Sequence, residues 1–322
     1  MLAVIANGFL ECDLMIGGAK MAGEKRIRVI VLSDAKNEAD DAFAIVHALL
    51  TPSFDVRGII AGHFGVPGSV EASMGEIETL RQLLGLGDDI VLAVGAPGPL
   101  ESFEKCAVPS DSRVYPELAI DLIACEAMSN DSRPLYLLCM GALTDVALLL
   151  RAHPEVKNRL TVVWTGGGRY PRGGHEANLA RDVQAAIEVF DSGVPIWQLP
   201  SGAYKQLAVP LSELRLRVVD EGDLGAHLMD QLEQFIEANV DKKDWVNPES
   251  WVLGDQAVVG VLLAEQKDCY DLVPAPGIDA DTLCYTMPPD SKHMIRVYRS
   301  LNERLVLEDM YSKLRLFARA RR

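Results

Sequence analysis

The sequence predicts an α/β protein built on a mostly parallel open sheet flanked by helices. Short runs rich in Val, Ile and Leu alternate with longer helix-like stretches almost to the C-terminus. Such βαβ alternation builds a parallel sheet covered on both faces. The short runs are continuously apolar, as strands buried on both faces are. No stretch rich in Pro, Gly or Ser divides the 322 residues, and no internal repeat is visible. One domain over residues 27–322 is therefore expected, preceded by an extension of residues 1–26.

The first strand is the run 27–32, followed by the acidic loop 33–41 and a helix-like run over 42–50. A strand at 56–61 and a helix at 75–84 follow, then a strand at 90–94 that ends at Gly95-Ala96-Pro97-Gly98-Pro99. The next pairs are a helix at 116–128 with a strand at 135–139, and a helix at 144–151 with a strand at 160–164 that runs into Gly166-Gly167-Gly168. A helix at 183–190 and a strand at 195–199 complete the alternation. Beyond them 211–240 is charged and amphipathic, which predicts a helical insertion or lid extending to about residue 250. Residues 1–20 are mildly apolar but carry Glu11 and Asp13 and no basic start, so they read as a short extension, not a secretory signal. Met21 is an alternative start.

Composition excludes several classes. A net charge of −15 lacks the basic footprint that nucleic acid or an anionic membrane needs. No run of about 18 apolar residues provides a membrane span. The six cysteines (Cys12, Cys106, Cys125, Cys139, Cys269, Cys284) show no paired metal-ligand spacing. They fit reduced thiols in a cytoplasmic protein.

The loop Ser33-Asp34-Ala35-Lys36-Asn37-Glu38-Ala39-Asp40-Asp41 is the most informative stretch, with four acids in eight positions between a strand and a helix. In an open α/β sheet ligands bind at the carboxyl ends of strands. Adjacent carboxylates there repel unless a cation, a proton or solvent relieves them. A hard divalent cation held by oxygens is one reading, and a solvated helix N-terminus that suits the macrodipole is the other. Further polar clusters follow later strands. In Met140-Gly141-Ala142-Leu143-Thr144-Asp145, Thr144 reads as a helix N-cap. The glycine triplet precedes His175-Glu176-Ala177-Asn178 and Asp182, with a spacing that suits neither a P-loop nor a dinucleotide fingerprint. Asp255 opens an apolar helix and is read as an N-cap or a ligand.

The order and content of these clusters resemble the nucleoside hydrolase family of the inosine-uridine-preferring type. That family carries an acidic motif ending in Asp-Asp after the first strand, a Gly-Pro/Ala-Leu-Thr-Asn turn, a Gly-Gly-Gly turn, a Glu-Phe-Asn segment and a C-terminal Asp. Segments 34–41, 141–145, 166–168, 176–178 and Asp255 match in the same order. The resemblance implies a Rossmann-like core and a Ca²⁺-dependent hydrolase that cleaves a nucleoside or related N-riboside, working as a homodimer or homotetramer. It implies that Asp34, Asp41, the Met140 carbonyl and Asp255 bind Ca²⁺, with Asp34 also taking a proton from the attacking water. Asp40, Glu176 and Asn178 would grip the sugar hydroxyls. Three departures stand out. Lys36 occupies the ungapped position of the motif's metal-binding aspartate, so Asp34, Asn37 or Glu38 must serve. His63 replaces an asparagine that contacts sugar and water. Gly254 replaces a histidine associated with protonating the leaving base, leaving His63 and His175 as candidate acids.

The chemistry is intelligible from the residues. N-ribosidic cleavage develops oxocarbenium character, so nearby negative charge stabilises it. A bound cation acidifies a water that a neighbouring carboxylate deprotonates. Electrophile activation in the manner of phosphoryl transfer needs basic residues that the acidic clusters lack in sequence. Two alternatives remain open: a weakly active or non-catalytic nucleoside- or sugar-binding protein, and a phosphatase using Asp34 as nucleophile, which Lys36 disfavours. Phe64, Trp245 and Trp251 are candidates to stack on a base or to pack the core or lid.

Overall fold

The computed structural model describes residues 26–105, 116–286 and 293–321. The predicted extension lies outside these residues apart from Arg26, as do Cys12 and Cys106.

The chain opens with β1 (Ile27–Ser33), α1 (Asp40–Leu49), β2 (Phe54–Ala61), α2 (Ser69–Leu84) and β3 (Val91–Val94). Helices α3 (Leu100–Lys105) and α4 (Pro116–Met128) precede β4 (Leu135–Cys139), α5 (Thr144–Ala152) and β5 (Thr161–Thr165). Then come α6 (Ala177–Arg181), α7 (Val183–Asp191), β6 (Ile196–Leu199), α8 (Ser201–Tyr204) and β7 (Ala208–Pro210). The last third holds α9 (Leu211–Val218), α10 (Gly222–Asn239), β8 (Ser250–Val252), α11 (Gln256–Leu263) and β9 (Tyr270–Pro274). Two short strands, β10 (Gly277–Ile278) and β11 (Tyr285–Thr286), precede β12 (Met294–Tyr298) and α12 (Glu303–Ala320).

The central sheet has eight strands in the order β3-β2-β1-β4-β5-β6-β12-β9. All its pairings are parallel except β12 with β9. β1 pairs with β2 on one side and β4 on the other, so the strand order reverses between β1 and β4. The crevice outside the carboxyl ends of strands at such a reversal is where ligands bind in open α/β sheets.

The continuous apolar reading of β1 follows from burial on both faces. Val29 and Val31 join one core with Phe43, Ile59 and Leu228, while Ile30 and Leu32 join the other with Ile60, Ile123 and Val162. The alternation is the two-residue period of a strand. α2 starts six residues before its predicted beginning, because Val70 and Ser73 are buried in a segment that reads as polar. The predicted lid comprises α9 and α10, and α10 buries Leu224, Leu228, Gln231 and Leu232 against α1 and α2. Among the described residues no helix is long and apolar enough to cross a membrane.

Candidate active site

Asp34, Asp40 and Asp41 follow the carboxyl end of β1, and Met140 follows that of β4. The loop after β1 turns through a hydrogen bond from the Asn37 amide to the Asp34 carbonyl (2.8 Å). α1 then begins with Asp40 and Asp41 in its first turn, where the helix dipole favours negative charge. Asp255 occupies the N-cap position of α11 yet makes no side-chain cap bond. Its carboxylate instead approaches those of Asp40 and Asp41, and oxygens of all three lie within 4.8 Å of one another. Asp41 and Asp255 are buried. Ser33 Oγ donates to Asp41 (2.5 Å), and the Asp255 amide donates to Asp40 (3.3 Å).

These acids are electrostatically unbalanced. Burial, and then the neighbouring carboxylates, push Asp41 and Asp255 well above the ordinary range. Burial raises Asp40 to about 6 against hydrogen bonds that lower it. Glu38 is pushed to about 7, chiefly by burial and by Asp40. Three converging carboxylates with raised pKa values and an all-oxygen donor set fit a hard divalent cation.

Asp34 has a different partner. It is 1% exposed, and its Oδ2 lies 3.1 Å from Nη1 of Arg181. The same nitrogen donates to Oδ1 of Asn178 at 2.6 Å. Burial raises Asp34 to about 7, with the Arg181 guanidinium as the main opposing influence. The sequence reading, which took the acidic clusters to lack a basic residue that could act in the site, is corrected here: Lys36 within the first cluster turns away to Glu76, but Arg181 reaches the site from the end of α6. The signal was present, because Asn178 and Arg181 are three residues apart on a helix and share a face.

The sugar-binding candidates are held by several bonds. Glu176 caps α6 by accepting from the Leu179 amide (3.0 Å) and also from Gly167 N (2.8 Å). Its other oxygen accepts from Tyr204 (3.1 Å). Gly167 has φ +86° and a Cβ there would sit 2.1 Å from the Tyr285 hydroxyl, so only glycine lets this turn present its amide to Glu176. Asn178 donates to the carbonyls of Met140 (3.2 Å) and Thr165 (2.8 Å), which ties the ends of β4 and β5 together. Tyr204, which the sequence did not single out, lies over Gly254. A Cβ on Gly254 would be 2.8 Å from its ring and 3.4 Å from Asp40 Oδ2.

The other candidates are set apart by their partners. Thr144 makes no N-cap bond, contrary to expectation; its hydroxyl donates to Asp182 (2.7 Å). With that proton committed, Thr144 accepts from Nε2–H of His63 (2.8 Å), leaving Nδ1 as a buried acceptor with no partner among the described residues. Burial lowers His63 to about 4, so its imidazole is neutral at ordinary pH and offers a lone pair. His175 is exposed. Lys36 turns outward to Glu76 (2.8 Å), a buried acid that also accepts from His227 on α10 (2.7 Å). Trp251 is buried, and Trp245 is 54% exposed and packs against it and Phe235.

A profile of the family described as inosine-uridine preferring nucleoside hydrolase matches residues 29–302. A pyrimidine-specific ribonucleoside hydrolase, RihA, from Citrobacter koseri is 32% identical over 52% of this chain and 58% of its own length. The protein of that name from Salmonella arizonae is 27% identical over 66% of this chain and 73% of its own. Among solved structures, a purine-preferring ribonucleoside hydrolase from Gardnerella vaginalis superposes with a TM-score of 0.73 at 20% identity. That match covers 90% of this chain and 99% of the other. An inosine-uridine preferring nucleoside hydrolase from Bacillus anthracis gives a TM-score of 0.65 at 15% identity, covering 90% and 99%. At such identities the structural likeness speaks for the fold, and the match to the Citrobacter relative takes in less than two thirds of that protein.

Proposed function

The chain belongs to the inosine-uridine preferring nucleoside hydrolase family, and on that footing we propose that it hydrolyses the N-glycosidic bond of a ribonucleoside or related N-riboside with the aid of Ca²⁺. The observation that carries the reading is the convergence of Asp40, Asp41 and Asp255 at the point where the strand order reverses. These three carboxylates would hold the cation, with the Met140 carbonyl at the neighbouring strand end. When bound, Ca²⁺ supplies Lewis acidity that makes a coordinated water easier to deprotonate.

The chain's own residues supply the rest. Asp34, kept next to a guanidinium, is the candidate to accept the water's proton. The negative field of the site favours positive charge developing on the ribose ring. Glu176, Asn178 and the Asp40 oxygen that the cation leaves free are the candidates for the sugar hydroxyls. The neutral His63, whose Nδ1 lone pair has no described partner, is suited to accept a hydrogen bond from a hydroxyl or water and ill suited to donate a proton to the leaving base. Substrates whose leaving group needs no protonation, such as p-nitrophenyl riboside, should therefore turn over best.

The pairing of Asp34 with Arg181 favours a second reading, a nucleoside-binding protein with little turnover. A ribose-release screen over common nucleosides and p-nitrophenyl riboside, with Ca²⁺ and with chelator, tests both. Chelator-sensitive ribose release supports the hydrolase. Nucleoside binding by calorimetry without ribose release supports the second reading and rejects the first.

A further inference from the structure

We propose that Arg181 is the resident counter-ion of Asp34 and divides the acidic centre in two. The guanidinium positions Asp34 and Asn178, while a divalent cation is held by Asp40, Asp41 and Asp255 without Asp34. The activity arm of this proposal rests on the hydrolase reading above; its binding arm does not.

One nitrogen of Arg181 reaches both Asp34 (3.1 Å) and Asn178 (2.6 Å). Those two residues come from different places, the end of β1 and the helix after β5. Asn178 is further anchored to the Met140 and Thr165 carbonyls. A single clamp therefore fixes a carboxylate and an amide across the crevice between β1, β4 and β5. The Arg181 side chain is 14% exposed, so its charge is little screened by water.

Three carboxylates already converge without Asp34. A divalent ion in contact with Asp34 would share that carboxylate with a guanidinium, and two positive charges so close in a site shielded from solvent repel strongly. The pairing is thus exclusive, with one carboxylate group for the cation and another for the guanidinium. A planar guanidinium also fixes orientation in a way a spherical ion does not. Arg181 acts through Asp34 and Asn178 and is a positioning residue.

The test is calorimetric titration of Ca²⁺ into the wild type and the Asp34→Asn, Asp41→Asn, Arg181→Met and Arg181→Lys variants, alongside kinetics on p-nitrophenyl riboside. Asp34→Asn is expected to weaken Ca²⁺ binding by no more than about ten-fold, through the guanidinium it leaves uncovered, and Arg181→Met to tighten it by at least about ten-fold, because the released Asp34 joins the ion. Asp41→Asn should lose binding. In kinetics Arg181→Met should lower kcat by about ten-fold or more with KM little changed, and Arg181→Lys should recover part of kcat and keep the wild-type Ca²⁺ affinity, since it retains charge but not the planar fork. A merely structural role for Arg181 would not tighten cation binding.

The proposal is overturned if Asp34→Asn costs as much Ca²⁺ affinity as Asp41→Asn, if Arg181→Met binds Ca²⁺ no more tightly than wild type, or if wild type binds no divalent cation. Should Arg181→Met fail to fold by circular dichroism, the nearly isosteric Asp34→Asn decides alone. A wild type that binds Ca²⁺ but releases no ribose rejects the hydrolase reading, while the calorimetry still decides the role of Arg181.

Discussion

Helix α1 buries ionisable groups at both ends, and the two ends are composed differently. At its start Asp40 and Asp41 face Asp255, and burial, followed for Asp41 and Asp255 by the neighbouring carboxylates, raises their pKa values. Two turns later His47 faces Asp309 (2.8 Å) and Gln256 (2.6 Å). Lys313 bridges Asp309 and Thr51 in the same network. There the signs alternate, and Asp309 is held below its ordinary range despite its burial because His47 and Lys313 hydrogen-bond to it. The mixed network fastens α12 to α1 and reaches α11 through Gln256, the residue after Asp255. A balanced set of buried charges serves the fold, whereas an unbalanced set marks where something from solution completes it.

The largest expected effect breaks this contrast by mutation. Asp41→Asn should weaken Ca²⁺ binding by more than about 100-fold, since even outer-shell partners of a metal site cost up to that much, and should abolish ribose release. Without cation it should raise Tm, because a repelling charge is gone. Asp309→Asn should do the reverse, costing about 1.5–3 kcal/mol of stability through lost charge-assisted hydrogen bonds with Ca²⁺ affinity unchanged. Denaturant melts and calorimetry on both variants read the four outcomes. Loss of stability in cation-free Asp41→Asn would mean the start of α1 is not strained by its charges.

A smaller effect separates the ends by pH. Asp34, Glu38 and Asp40 have folded pKa values above their unfolded ones, so the folded state binds more protons. Stability from these groups is full below about pH 4 and is lost as pH rises toward about 7. Asp309 and His47 are both lowered, so their end loses stability as pH falls. Between pH 5 and 7.5 the three raised carboxylates outnumber the single lowered His47, so cation-free Tm should decline there, and saturating Ca²⁺ should remove that decline. A decline that persists with Ca²⁺ bound would place its origin elsewhere.

The smallest effect concerns what keeps the acidic end acidic. Glu76 draws Lys36 outward, and Glu76→Gln should release that ammonium toward the carboxylates and weaken Ca²⁺ binding by about three- to ten-fold. Adding Lys36→Met to Glu76→Gln should restore it. An unchanged affinity in Glu76→Gln would show that Lys36 cannot reach the site.

The sheet was legible because β1 beyond Arg28, β4 and β5 are buried on both faces and leave short apolar runs. β12 and α12 were not singled out: Met294–Tyr298 is interrupted by Arg296, whose guanidinium lies over Trp197 and Tyr270. The acidic loop and Asp255 stood out because acids beside apolar runs are conspicuous. Arg181 did not, since a basic residue near the end of a short helix reads as a solvated one until β1 and β5 are brought together. Asp34 was expected beside the metal, and its pairing with Arg181 depends on that same tertiary approach. Tyr204 was hidden for a similar reason, lying on one short helix while touching residues from two other segments.

Tyr204 and Gly254 also constrain how this lineage can change. With the Tyr204 ring 2.8 Å from where a Cβ on Gly254 would stand, a side chain at position 254 requires the Tyr204 ring to shift. A histidine there becomes accessible only after position 204 has shrunk or moved, which first gives up the phenol's bond to Glu176. The two positions form an ordered pair of substitutions with a disfavoured intermediate on either route. The glycine is locked in by its neighbour, and a variant library that samples position 254 alone will recover glycine.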